Sequence, residues 1–142
     1  MLKVDKTLVF ASWIIVEPAE DIPGVWVAHC LEFDVISQGE NPHHAIDSVT
    51  EAVAMTVVDD LHNGLDPNER RAPAEYWDRL AQVLKHGSQV SLSEVTGDAN
   101  VVLATQVTLV FERRLQQNSA EAFSQFNVPP TTAHVNPQAR AA

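Results

Sequence analysis

His29 and Cys30 are the first neighbouring residues in the sequence whose types could do chemistry, because a histidine can activate a cysteine thiol as a nucleophile. Both lie in residues 25–30, a segment whose β-branched and aromatic residues predict a strand. Side chains of adjacent strand residues point to opposite faces of a sheet, so these two cannot pair with each other. A cysteine in an apolar strand is usually a small buried hydrophobe, and we expect that role for Cys30.

A second group, His43, His44 and Asp47, opens the main predicted helix, where residues four apart share one face. Metal sites usually need more ligands at closer spacing, and the sequence has neither two histidines four apart nor a cysteine cluster. It also lacks the glycine-rich phosphate loops and the nucleophile-elbow motif. We therefore expect no metal, no cofactor and no catalytic residue, and the sequence predicts a binding protein rather than an enzyme.

Charge is distributed very unevenly along the 142 residues. Residues 1–66 contain twelve acidic residues and two lysines, so they carry the whole net charge of −10, while acids and bases balance over residues 67–142. A negative surface repels nucleic-acid phosphates and attracts basic partners. The other interpretation is a solvated face that only keeps the chain soluble, and composition alone leaves both open.

The cellular compartment can be inferred from what the sequence contains. The one cysteine excludes an intramolecular disulfide and fits a reducing environment. No run of 18 apolar residues predicts a membrane-spanning helix, and the first residues lack the apolar stretch of a signal peptide. We expect a cytoplasmic protein that does not enter a membrane.

The elements that must position these side chains begin with three strands between residues 7 and 39, which predict a meander. A helix follows from Pro42, with Asn41 as its N-cap, and its apolar residues recur every three or four positions. Further along, the pattern predicts a shorter helix over residues 74–85 and a long strand over residues 101–112. The chain is thus expected to divide into a βββα domain, a helix-and-strand extension and a tail.

We place these divisions at residues 1–66, 67–115 and 116–142. The last of them is rich in Gln, Asn, Ser, Ala and Pro, and Pro129-Pro130 interrupts regular structure, which predicts a disordered tail. The extension is expected to pack on the first domain or to pair with it.

Two features favour a homo-oligomer. Residues 52–58 of the main helix are apolar around most of the circumference, so a second surface should cover them. That cover could be the extension, a second copy of the chain or another partner. In addition, the edge of the long strand over residues 101–112 could pair with another copy.

A recognisable string leads into the main helix: GVWVAHCLEF over residues 24–33, then VISQGENP over residues 35–42. It resembles the HicB-like antitoxin domain, in which a glycine-aromatic strand, a Pro-Glu-Leu-Asp type link and a Ser/Thr-Gln-Gly-Asp-Thr step precede an alanine-rich helix. The resemblance covers about residues 7–64. Cys30 stands where many members carry proline, and Asn41-Pro42 replaces the usual acidic residue and threonine. The positions that carry the motif are Gly24, Trp26, Gln38, Gly39, Asn41, Pro42 and Ala45.

The resemblance implies an α+β fold, a β-β-β-α meander with a partial RNase H-like topology that lacks the catalytic residues of that fold. It also implies binding to a small basic ribonuclease toxin, HicA, whose catalytic histidine the antitoxin masks. An acidic first half is compatible with that partner, since complementary charge speeds encounter. The acidic residues expected to meet the partner are Glu32, Asp34, Glu40, Asp47, Glu51, Asp59 and Asp60.

Two alternative functions stay open. The chain could be an orphan HicB-like oligomer with a structural or regulatory role. It could also be an Mg²⁺-dependent RNase H-like nuclease, which needs clustered carboxylates, but residues 8–16 of the first strand contain no acid. Direct DNA binding is not expected, because no helix-turn-helix or ribbon-helix-helix is present and the later residues lack excess positive charge.

Overall fold

The computed structural model describes residues 3–96, 100–115 and 121–136. This part of the chain forms an α+β fold with a seven-stranded antiparallel sheet and two α-helices. In chain order the elements are β1 (Lys3–Pro18), β2 (Trp26–Cys30), β3 (Val35–Gly39), α1 (Pro42–His62), α2 (Ala74–His86), β4 (Ser88–Ser91), β5 (Val102–Leu115), β6 (Glu121–Val128) and β7 (Thr132–Asn136). Short 3-10 helices span Pro67–Arg70 and Leu92–Glu94.

The first three strands form the predicted antiparallel meander. Ile14 of β1 lies opposite Cys30 of β2, and Trp26 of β2 lies opposite Gly39 of β3. The strand order across the sheet is β3-β2-β1-β5-β7-β4, and β6 also pairs with β5. β2 covers only the end of β1, whereas β5 follows β1 from Lys3 to Val16. The first two thirds of β1 therefore extend beyond the meander.

β5 lies inside the sheet, which contradicts the prediction that its edge is open to a second copy. β1 pairs along one side of it. On the other side, β7 pairs with Val102 to Ala104 and β6 pairs with Thr108 to Leu115. Because both sides are occupied by the same chain, an oligomer has to use another surface.

The prediction of a disordered tail is wrong for residues 121–136, which form β6 and β7. Their Gln, Asn and Ser content resembles a linker, but the long edge of β5 needs hydrogen-bond partners, and these two strands supply them. Pro129 and Pro130 lie in the link between the two strands, where no ladder N–H is needed. Residues 116–120 and 137–142, also predicted as tail, lie outside the described residues.

α1 begins and is capped as the sequence predicts. The Asn41 side chain accepts a hydrogen bond from the His44 backbone N–H at 2.8 Å, and Pro42 occupies the first helical position. The helix ends at His62, and Gly64 beyond it has a φ of 70°, a conformation that favours glycine. Neither described helix is long and apolar enough to cross a membrane.

The two helices cover opposite faces of the sheet. α1 packs with one set of alternating β1 residues, including Ile14 and Val16, around the buried Trp26. α2 packs with the other set, including Ile15, through Leu80 and Val83. Residues 52–58 of α1 are not covered all round as predicted, because Met55 in their middle is 65% exposed.

Candidate functional site

A groove runs along α1 where the helix passes beside β6. Its α1 side consists of Asp47, Glu51, Met55, Asp59 and neighbours at helical spacing. The β6 side consists of Gln125 and Asn127, followed by Pro129 and Pro130. Two cavities of about 150 Å³ and about 490 Å³ lie along this groove, which we call the α1 groove.

Negative charge and one exposed apolar side chain alternate along the α1 groove. Asp47, Glu51 and Asp59 are exposed, and Met55 lies between the last two in the chain. Methionine is flexible and polarizable, and it is used often on surfaces that adapt to partners. The groove therefore offers an apolar contact with acidic residues on both sides.

The sequence-predicted acidic set is only partly brought together. Asp47, Glu51 and Asp59 line the α1 groove, and Glu40 is exposed just before the helix, where its backbone N–H donates to His44 Nδ1 at 3.2 Å. The remaining three residues, Glu32, Asp34 and Asp60, lie elsewhere and make contacts within the chain.

Asp60 is a structural residue, which corrects its assignment to a partner surface. Its side chain is 2% exposed and accepts two hydrogen bonds from Arg70, at 2.6 Å from Nε and 2.8 Å from Nη2. These hydrogen bonds hold the pKa of Asp60 below its ordinary value, and burial opposes them. The pair joins the last turn of α1 to the 3-10 helix Pro67–Arg70, so its charge is not presented to a partner.

Glu32 is used by the sheet itself. Both of its carboxylate oxygens accept the Trp13 backbone N–H at 2.8 Å, beside the point where β2 ends. Burial raises the pKa of Glu32 to about 7, although the hydrogen bond from Trp13 acts in the opposite direction. Glu32 therefore supplies the hydrogen-bond acceptor that a neighbouring strand would otherwise give to β1 at Trp13. Its carboxylate is not part of an open acidic surface.

Asp34 takes part in a small network on the α2 side of the sheet. Its Oδ1 lies 2.8 Å from His29 Nε2. The His29 ring packs edge to face on the Tyr76 ring of α2, with 4.8 Å between the ring centroids. Asp34 has a φ of 52°, a left-handed conformation that aspartate tolerates better than most residues. The sequence did not predict this network, since the contact to Tyr76 depends on where α2 packs.

His29 and Cys30 lie on opposite faces of the sheet, as predicted. Cys30 is buried in the α1-side core. Burial raises the pKa of the Cys30 thiol to about 12, and the charge of Glu32 adds to the shift. The thiolate that a nucleophile requires is thus strongly disfavoured.

The acidic residues of the first half do not form one cluster of the kind that an Mg²⁺-dependent nuclease needs. Asp34 contacts His29 on the α2 side, whereas Asp47 and Glu51 line the α1 groove on the other side. Within residues 3–96, 100–115 and 121–136, no three His, Cys, Asp or Glu residues come close enough to hold a metal ion.

The motif residues of the HicB resemblance act mainly in shaping the meander and its joint to α1. Gly24 has a φ of 80° in the turn before β2, and Trp26 is 1% exposed in the core. At Gly39 a Cβ would lie 2.5 Å from the Ala45 backbone nitrogen, so only glycine permits this approach of β3 to α1. Ala45 is fully buried, and Gln38 is exposed on β3.

A further cavity, which sequence reasoning missed, lies on the α2 side where β6 gives way to β7. It measures about 330 Å³ and is lined by Trp13, Gln89, Gln106 and His134, among others. The Trp13 and His134 rings pack edge to face, with 6.3 Å between the ring centroids. His134 belongs to the predicted tail, so no sequence pattern linked it to Trp13.

Comparisons with protein-family models, with curated proteins and with solved structures gave no match for this chain. The fold and the groove define the class of this protein as an α+β domain with an acidic surface groove beside its main helix.

Proposed function

We propose that this chain is a non-catalytic, HicB-like binding protein that neutralises a small basic ribonuclease of the HicA type by holding it in the α1 groove. The observation that carries the proposal is the exposure of Met55 between the carboxylates of Glu51 and Asp59. A basic protein that places an apolar side chain on Met55 would set its lysines or arginines against the acidic residues.

Electrostatics supports a basic partner for the groove. Exposed charges at the rim of an interface steer encounter and discriminate against like-charged partners more than they add affinity. Asp47, Glu51 and Asp59 are suited to that role because they are exposed and form no ion pair within the described part of the chain. Burial of the Met55 side chain against the partner would add about 1.5–3 kcal/mol to the binding free energy.

The fold supports the finer family assignment without establishing it. Three antiparallel strands followed by a helix is the arrangement that the HicB resemblance implies for residues 1–66, and Gly39 of the motif packs on α1. We include in the proposal that this segment has the partial RNase H-like topology of that family, and that the protein acts in the cytoplasm.

The test is binding of the purified chain to a purified HicA-type ribonuclease, measured by calorimetry together with inhibition of RNA cleavage. Neutralising the groove with Asp47→Asn, Glu51→Gln and Asp59→Asn should weaken binding about tenfold at low salt, since each rim charge contributes about 0.2–1 kcal/mol. The same triple variant should reduce the salt dependence of the dissociation constant.

The matched control is Glu20→Gln, Asp21→Asn and Glu75→Gln, which removes three exposed charges outside the groove. A second pair of variants tests the apolar contact: Met55→Ala should weaken binding, whereas Ile36→Ala, at a site of similar exposure on β3, should not. Equal effects of groove and control variants, or cleavage of RNA by the chain alone, would overturn the proposal.

A further inference from the structure

The cavity of about 330 Å³ on the α2 side of the sheet lies where a bulged link joins β6 to β7, and we call it the bulge cavity. Val128 at the end of β6 lies opposite Thr108 of β5. His134 of β7 lies opposite Ala104 of β5. Between these pairs the link takes six residue steps while β5 takes four, so the link carries two extra residues. Pro129-Pro130 lies within it and cannot donate ladder hydrogen bonds, so the link separates from β5 and opens the cavity.

Two hydrogen bonds fix the link, so the cavity is formed before a ligand arrives. The Thr131 carbonyl accepts a hydrogen bond from the Leu92 backbone N–H at 2.8 Å. The Thr132 carbonyl accepts one from the Thr105 hydroxyl at 2.6 Å. The rings of Pro129-Pro130 stiffen the same link by fixing φ. Small-molecule sites are usually preformed, and β-bulges are common beside functional sites.

Trp13 forms the wall of the bulge cavity on the β1 side and is also held in place. Its backbone N–H donates to Glu32, and its backbone carbonyl accepts from the Leu31 N–H at 3.0 Å. The Trp13 and His134 rings are inclined at 61° to each other, and Ala104 adds only a methyl group to the lining. A flat ring that stacks on one of these two side chains presents its edge to the other.

Polar groups with unused hydrogen-bonding capacity surround the two rings. In the described part of the chain, the side chains of Trp13, Gln106 and His134 take part in no hydrogen bond. Gln106 is exposed and lies opposite Trp13, and its amide offers a donor and an acceptor in one plane. Gln89 supplies a second amide, whose Nε2 donates to the Thr132 hydroxyl at 3.3 Å and whose oxygen stays available. The cavity therefore combines aromatic faces with paired donors and acceptors.

Charge selects against an ionic ligand in the bulge cavity. Among the described residues that line it, none is Asp, Glu, Lys or Arg. A charged ligand would lose hydration there without meeting an opposite charge. The net charge of −10 also repels phosphate groups. An uncharged ligand is the kind that this lining favours.

We infer that the bulge cavity binds one uncharged nucleobase, as the free base or as its nucleoside. Proteins recognise unpaired bases by stacking them on aromatic side chains and by hydrogen bonds to their edges. A base edge places a donor beside an acceptor, which a glutamine amide such as that of Gln106 can match with two hydrogen bonds. The volume lies at the low end for small-molecule sites, which fits one base with its sugar. This inference concerns a site separate from the α1 groove and does not depend on the function proposed for that groove.

The experiment is calorimetric titration of the full chain with adenosine and with cytidine. Adenosine should bind with a dissociation constant on the order of 100 µM, a strength typical of about twenty non-hydrogen atoms. Cytidine should bind more weakly, because its smaller ring stacks over less area. Adenine should compete with adenosine and ribose should not, since the base carries the recognition. Adenosine monophosphate should bind at least about threefold more weakly than adenosine at low salt, because its phosphate is repelled.

Two positions test the stacking and the hydrogen bonds separately. Gln106→Leu should raise the dissociation constant of adenosine at least about tenfold, because the base edge loses its partner. Trp13→Leu should have an effect of similar size, whereas Trp13→Phe, which keeps an aromatic face, should retain most of the affinity. Gln38→Leu is the matched control, since Gln38 is exposed on β3 and does not line the cavity.

Several results would overturn the inference. They are the absence of binding by both nucleosides at about 1 mM, well above the expected dissociation constant, and equal losses in Gln106→Leu and Gln38→Leu. Tighter binding of adenosine monophosphate, competition by ribose, or displacement of adenosine by a proline-rich peptide would count against it as well. Circular dichroism establishes that each variant is folded. If a variant does not fold, NMR of the natural chain replaces it: adenosine should shift the amide signals of Gln106 and His134 but not that of Met55, and unshifted cavity signals contradict the site.

Discussion

Asp60 and Arg70 form a bidentate ion pair in which the carboxylate is almost fully buried and the guanidinium is about half exposed. The pair fixes the end of α1 against the 3-10 helix Pro67–Arg70. One negative charge of the acidic half is thereby neutralised inside the chain, where a sequence reading of surface charge would count it as free.

Replacing Asp60 by Asn should destabilise the protein, because one strong charge-assisted hydrogen bond is lost at a buried position. We expect the free energy of unfolding to fall by about 1.5–3 kcal/mol, measured by urea denaturation at neutral pH. Asp59→Asn, at the exposed neighbouring position, should change it by less than about 0.5 kcal/mol. Because the folded pKa of Asp60 is depressed, its contribution is present above the unfolded pKa and lost as pH falls through the folded value.

Glu32 should give stability the opposite pH dependence. Its folded pKa of about 7 lies above the ordinary glutamate pKa of 4.5, so between these two pH values the folded state retains a proton that the unfolded state has released. Its contribution to stability is therefore full below about pH 4.5 and is lost as pH rises through about 7. Glu32→Gln, whose amide oxygen can still accept the Trp13 N–H, should flatten this part of the stability profile.

The measurement for Glu32 is thermal or urea unfolding from acid to mildly alkaline pH, compared with an NMR titration of the carboxyl carbon. Glu40→Gln provides the control, since Glu40 is exposed. Parallel curves of unfolding free energy against pH for Glu32→Gln and the natural sequence would contradict a raised pKa of Glu32.

Gly39→Ala should disrupt the joint between β3 and α1. The added Cβ would lie 2.5 Å from the backbone nitrogen of Ala45 and 2.7 Å from the backbone carbon of His44. Backbone has to move to relieve these contacts, so we expect a loss of about 1–3 kcal/mol in unfolding free energy. Gly64→Ala meets open space and is penalised only for its positive φ, by about 1 kcal/mol. Chemical denaturation gives the loss of unfolding free energy for each variant. A smaller loss for Gly39→Ala than for Gly64→Ala would contradict the close packing of β3 on α1.

The last strands should be required for folding. A chain ended after Leu115 loses β6 and β7, leaves one side of β5 unpaired and removes Ala133 from the core. We expect this chain to lose cooperative unfolding or to aggregate through the exposed edge. A chain ended after Asn136 retains every described strand and should unfold like the full chain. Calorimetry distinguishes the two shortened chains. If the chain ended after Leu115 were soluble and unfolded cooperatively, residues 116–142 would be a dispensable tail, as the sequence predicted.

Local sequence signals determined the meander, the start and cap of α1, and the opposite orientation of His29 and Cys30. Each depends on neighbours a few residues apart: alternation along a strand, Asn41 accepting from His44, or glycine at a sharp turn. The HicB-like motif lies in this same region, and its function stays a proposal because its residues shape the joint between β3 and α1 rather than a reactive site.

Contacts between distant residues were decided only by the tertiary structure. The sequence could not indicate that Asp60 pairs with Arg70, that Glu32 accepts from Trp13, or that Phe126 aligns with Val9 through Val110. The polar residues of β6 and β7 carry little strand preference of their own. They are ordered because the unpaired edge of β5 needs donors and acceptors, and that requirement exists only once β1 and β5 have come together.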